Sequence, residues 1–265
     1  MRRPRGPPAL ILAVRRVAAL VAAAVVVASG SVAWSASSQG ATTRTALLLG
    51  DSLTTETAPD FVAPSGWRLV FDAYPGIAPC DWLDGPTPNA TTFLDEHPAV
   101  VLIETAANDF TRCMRVRGHL PKLGSAQFIT EYERSLTTLF EMARAVDARI
   151  VLLSPPPLLE PSRSSALIKI MLWAIDDEHV FVATGPRFAV SSHGLFRLRL
   201  PCLRGETAVM GCVGGLIAVR TVDSHFHLHF CPWSDDIVTG FTCSVYSSGQ
   251  ERWARATMHV LAGLP

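Results

Sequence analysis

Four short segments, at 45–49, 67–71, 99–103 and 149–153, are apolar and rich in leucine, valine or isoleucine, and long connections or helical patterns separate them. Segments so short and so continuously apolar do not make amphipathic helices. They read as strands buried on both faces, the pattern of a parallel sheet. Between the last two, Phe128, Tyr132, Leu136, Leu139, Ala143 and Val146 recur at helical spacing, with Glu131, Arg134, Glu141 and Arg144 elsewhere on the helix and Ser125 as a cap. Further helices are expected near 165–178 and over 249–261, the latter with Trp253, Thr257 and Val260 facing inward. Strands that alternate with helices are joined by crossovers, so the expected fold is α/β, a three-layer α/β/α sandwich around a central parallel sheet. The run Pro155-Pro156-Pro157 is expected to break the chain sharply, and the stretch 187–219 is assigned no regular structure.

The 265 residues are 49% hydrophobic and 17% charged, which suits one well-cored domain, and 23 basic residues balance 23 acidic ones. That balance carries no electrostatic signature of a nucleic-acid partner. Basic residues are nonetheless gathered at Arg2, Arg3, Arg5, Arg15 and Arg16, ahead of an uncharged apolar run at 17–28 and the small residues Ser29, Gly30, Ser31 and Ala33. The run is shorter than the roughly 20 residues that span a bilayer. Residues 1–33 therefore read as an export signal cleaved after Ala33, or as a membrane anchor if 32–36 extend the helix, with 34–43 a linker and 44–265 the folded domain. An even number of cysteines in an exported chain favours disulfides over metal thiolates. Nearness in sequence pairs Cys202 with Cys212 and Cys231 with Cys243, leaving Cys80 with Cys113.

The first segment ends in Gly50-Asp51-Ser52-Leu53, which delivers a serine hydroxyl to the C-terminal edge of the sheet, where open α/β folds build their sites. The second leads into Asp72-Ala73-Tyr74-Pro75-Gly76 and the third into Glu104-Thr105-Ala106-Ala107-Asn108-Asp109, at neighbouring strand ends. Late in the chain Asp223 is followed by the alternating histidines His225, His227 and His229. On a strand these would share one face, where zinc with a fourth ligand is an alternative to catalysis. Arg112, Arg115 and Arg117 read as a solvated face or as the contact for an anionic substrate.

In order and spacing these blocks resemble the GDSL/SGNH hydrolase family over roughly 45–262, and the segments around His229-Phe230-Cys231-Pro232 and Val245-Tyr246-Ser247-Ser248-Gly249 resemble its exported actinobacterial-type members. The resemblance implies a flavodoxin-like SGNH fold and a secreted or envelope-associated esterase or lipase acting on a small-molecule, glycan or lipid ester. It implies Ser52 as nucleophile, a late histidine as base and Asp223 behind that histidine. Ser52 N–H, Gly76 N–H and the Asn108 amide would form the oxyanion hole, and no cofactor is needed. A cell-envelope O-acyltransferase or deacetylase, and a degenerate binding protein, are the alternatives. Two positions depart from the family pattern. Ala106 stands where it has glycine, and Phe226 stands three residues before His229 where it has aspartate. His229 is the preferred base, with His227 and His225 as alternatives.

Overall fold

The computed structural model describes residues 43–84, 94–220, 229–230 and 246–265. The expected signal segment, most of the linker, Asp223, His225, His227, Cys231 and Cys243 lie outside the described residues.

Five strands, β1 (Arg44–Gly50), β2 (Trp67–Ala73), β3 (Val100–Glu104), β4 (Arg149–Leu153) and β5 (Val180–Ala183), form one sheet in the order β2-β1-β3-β4-β5. Every pairing in it is parallel, with Leu49 opposite Asp72 on one side and Ile103 on the other. This is the flavodoxin-like strand order, in which the chain reverses direction across the sheet between β1 and β3.

Period-two alternation divides the strand side chains between two cores. Leu47, Leu49, Val101, Ile103, Ile150 and Leu152 face α3 (Ala126–Ala145) and α4 (Pro161–Ile175), meeting Phe128, Tyr132, Leu136, Leu167 and Ile170. Ala46, Leu48, Val100, Leu102, Val151 and Leu153 face the other way, onto α6 (Ser248–Ala262) through Trp253, Met258 and Leu261. Ser125 caps α3 by accepting from Phe128 N–H, as its position before the helix anticipated.

Three expectations are corrected. The second helix spans Pro161–Ile175 rather than 165–178, because Pro161 can open a helix but not continue one. The strand Val180–Ala183 follows it, an edge strand whose Phe181 is exposed, so it lacks the fully apolar signature of its neighbours. The stretch 187–219 is not irregular throughout: β6 (Arg199–Pro201) and β7 (Leu216–Ala218) pair antiparallel, tied by the Cys202–Cys212 disulfide, and a short helix α5 (Gly185–Ala189) precedes them.

Candidate active site

Ser52 is the first residue of a six-residue helix, α1 (Ser52–Thr57), directly beyond β1 at the point where the strand order reverses. The turn into α1 is tight. A side chain at Gly50 would put its Cβ 2.1 Å from Thr54 Oγ1, so the strand can fold back on its helix only with glycine there. Asp51 caps α1 from a fully buried position: Oδ1 accepts from Leu53 N–H (3.0 Å), and Oδ2 from Ala106 N–H (2.7 Å) and Asn108 Nδ2 (2.9 Å). The aspartate of the first block thus holds the third block in place.

Beneath Ser52 a second buried carboxyl, Glu104, accepts from Thr54 Oγ1 (3.0 Å) and Asp51 N–H (3.3 Å). Burial pushes both acids up, and Glu104 is raised further by the Asp51 charge, whereas Asp51 is held down by its N–H donors. Glu104 is therefore the member of the pair that keeps its proton.

The three expected oxyanion donors gather at these strand ends. The N–H groups of Ser52 and Gly76 make no hydrogen bond to a described residue. Gly76 has φ +76, a left-handed conformation that suits glycine, and the exposed Phe110 ring lies over its α-carbon. Asn108 is buried and its amide nitrogen donates to two oxygens, Asp51 Oδ2 and Ile77 O (2.9 Å each). An oxyanion would have to take one of those protons, and the bond to Ile77 O is the one that can be given up without unmaking the link between blocks. Ala107 beside it has φ +60 and is held there by Arg163, which donates to Ala107 O and also bridges Asp109 and Glu160. The Cys80–Cys113 disulfide, one of the two expected pairs found among the described residues, ties the Gly76 loop, with the short helix α2 (Asp81–Asp84) that follows it, to the loop after Asn108.

Of the three candidate histidines, His229 falls among the described residues. It is 3% exposed, and its Nδ1 lies 2.5 Å from Glu56 Oε1 on α1. Glu56 Oε2 accepts from Phe230 N–H at 3.0 Å, so one carboxylate grips both residues. Phe230 is fixed further by Ser247 Oγ, which donates to its carbonyl, by the Arg220 guanidinium over its ring and by Trp253. The sequence reading missed Glu56. Its signal is the spacing Ser52 to Glu56, which on a helix stacks two side chains on one face.

Arg112, Arg115 and Arg117 are all exposed, in keeping with a solvated face. Among the described residues the one grouping with metal-ligand spacing, Cys80, Asp81 and Cys113, is closed by its disulfide.

No protein-family model and no curated protein matches the chain. Among solved structures it is similar to a protein of Slackia heliotrinireducens assigned to the SGNH hydrolases, at TM-score 0.48 and 15% identity over 82% of this chain and 98% of that one. It is similar to a GDSL-like lipase of Bacteroides thetaiotaomicron, at TM-score 0.45 and 13% identity over 83% of this chain and 88% of that one. A third is a carbohydrate esterase of family 3 from Talaromyces cellulolyticus, at TM-score 0.47 and 13% identity over 83% and 96% of the two chains. The likeness to these hydrolases and esterases is one of fold.

Proposed function

We propose that this chain is a serine ester hydrolase of the GDSL/SGNH type that works through an acyl-enzyme on Ser52. The observation that carries the reading is the burial of His229 against the very helix that Ser52 opens, its carboxylate partner lying 173 residues earlier in sequence. A hydroxyl is a poor nucleophile until a base takes its proton, and imidazole is the side chain suited to that at neutral pH.

In the reaction, Ser52 Oγ bonds to the ester carbonyl carbon while its proton passes to His229 Nε2. The carbonyl oxygen becomes an oxyanion held by Ser52 N–H, Gly76 N–H and the Asn108 amide. Its collapse breaks the bond to the alcohol, which leaves with the proton from Nε2, and water then repeats the sequence to release the acid. Removing one such donor costs about 3–4 kcal/mol of barrier in enzymes of this chemistry.

Export belongs to the same proposal. It is supported by the N-terminal pattern and by two disulfides, bonds that persist in oxidising compartments. Among the described residues no helix is long and apolar enough to cross a membrane.

The test is a panel of acyl esters from acetyl to palmitoyl, with fluorophosphonate labelling, on wild type and Ser52→Ala. Turnover and labelling are expected in the wild type and in neither measurement for the variant; labelling that survives Ser52→Ala removes the nucleophile assignment. A second reading, acyl transfer or deacetylation on an envelope polysaccharide, is favoured by Phe110, an aromatic ring 60% exposed beside the hole and able to stack on a sugar. Product analysis with water against sugar acceptors separates the two.

A further inference from the structure

The geometry points to Glu56 as the acid that orients the catalytic histidine, the role the family resemblance implies for Asp223. The inference rests on Ser52 being the nucleophile and His229 the base.

Three observations carry it. First, the imidazole Nδ1 already has its carboxylate, Glu56 Oε1 at 2.5 Å, with both residues almost wholly buried at 3% exposure each. Second, Glu56 is four residues beyond Ser52 on α1. Side chains so spaced lie on one helix face with Cβ atoms about 5–6 Å apart, so an imidazole held by Glu56 lies on the face of α1 that Ser52 occupies. Third, Glu56 Oε2 is occupied by Phe230 N–H at 3.0 Å, which fixes the carboxylate plane and the loop carrying the ring together. The usual distribution, acid and base close together near the C-terminus, is here redistributed: nucleophile and acid share one turn of helix, and the histidine alone comes from the far end of the chain.

Glu56 acts by accepting Nδ1–H and keeping it on Nδ1. Nε2 is then unprotonated and able to take the Ser52 proton, and the carboxylate stabilises the imidazolium that results; Glu56 itself gains no proton. It is a positioning residue, since it reaches the substrate only through His229.

The hydrogen-bond geometry makes Glu56→Gln a discriminating variant. Phe230 N–H needs an acceptor, so the new amide must turn its oxygen there and its NH2 toward Nδ1. An NH2 facing Nδ1 donates to it and forces the proton onto Nε2, the tautomer that cannot act as base. The expected result for Glu56→Gln is retained folding, KM within a few-fold of wild type and kcat lower by on the order of 10⁴, as for loss of the equivalent aspartate in a serine triad. Glu56→Asp, which restores a carboxylate on a shorter arm, should recover part of kcat. Asp223→Asn should stay within a few-fold of wild type.

Imidazole nitrogen NMR of the wild-type protein gives an independent readout: the His229 proton is expected on Nδ1, and on Nε2 after Glu56→Gln. A Glu56→Gln kcat within tenfold of wild type, a collapse of kcat in Asp223→Asn, or an Nε2–H tautomer in the wild type would each overturn the inference. Ser52→Ala run in parallel keeps the two claims apart. If it abolishes turnover while Glu56→Gln does not, only the role of Glu56 fails; if it leaves turnover intact, the underlying hydrolase reading fails.

Discussion

Loss of the Asp51 carboxylate should cost the fold several kcal/mol. Its two carboxylate oxygens accept three hydrogen bonds, from Leu53 N–H, Ala106 N–H and Asn108 Nδ2, and Leu53 and Ala106 are wholly buried. Asp51→Ala strands all three donors, and an unsatisfied buried donor costs about 1–3 kcal/mol, which brackets the loss between roughly 3 and 9 kcal/mol. Two effects pull it toward the lower end. Asp51 is itself raised by desolvation, and its charge helps hold Glu104 protonated, so removing it lowers the cost of ionising Glu104. Water can also enter the space left by the carboxylate. The expectation is therefore about 3–5 kcal/mol, and at about 2–4 °C per kcal/mol for a domain of this size, a fall in Tm of roughly 6–20 °C. Asp51→Asn keeps one acceptor oxygen and drops the charge beside Glu104, so it should lose less than Asp51→Ala. Urea denaturation followed by far-UV circular dichroism measures both. An Asp51→Ala variant within about 1 kcal/mol of wild type, less than the minimum for even one stranded donor, would refute the account of Asp51 as the tie between blocks.

Asp72, at the end of β2, is 1% exposed with neither carboxylate oxygen hydrogen-bonded among the described residues, and burial pushes it up to about 7. Because the folded value is the raised one, its contribution is fully present below the unfolded value near 4 and is lost as pH rises through about 7, at up to about 1.4 kcal/mol per pH unit. Asp72→Asn should flatten that fall and melt above wild type at pH 8; parallel melting curves from pH 4 to 8 would contradict this. Opening the Cys80–Cys113 bond, which closes a loop with a sequence separation of 33, should cost about 3–4 kcal/mol on chain entropy alone. A Cys80→Ser/Cys113→Ser pair should also lower kcat, since the bond joins the loops of Gly76 and Asn108, and unchanged turnover would show that neither loop relies on it. Gly76→Ala forces a side chain into φ +76, a strain of about 1–2 kcal/mol, while the exposed Phe110 ring can swing clear of the new Cβ. Turnover should therefore fall in Gly76→Ala and stay low in the double variant with Phe110→Ala; full rescue would make the ring, not the backbone, the cause.

Of the four strands legible in the sequence, three have both faces buried and the fourth, β2, is an edge strand found by its apolar residues alone. β1, β3 and β4 lie between two helical layers, so nearly every position is apolar and the strand stands out without any alternation to read. β5 has the same role at an edge, where Phe181 faces outward and only four residues pair, and its signal fades accordingly. The β6–β7 pair is shorter still, three residues each, and is held by a disulfide and by Leu200, Ile217 and Val219 in a small core of their own. Strands that brief have too few positions for a period to show. The site followed the same rule. Gly50, Ser52, Gly76 and Asn108 follow strand ends in chain order, so a linear reading finds them.

Glu56 was hidden for a different reason. An acid partner is sought along the chain near its histidine because that is where the familiar spacing lies, but a hydrogen bond selects only for reach in space. A nucleophile at Ser52 would need a histidine above it, and Glu56 stands on the same helix face at the fourth residue on. An acid there is joined to Ser52 by a single turn of backbone, and Glu56 holds the His229 imidazole against that turn. With Glu56 gripping both His229 and Phe230 N–H, the geometry at Nδ1 is set from α1.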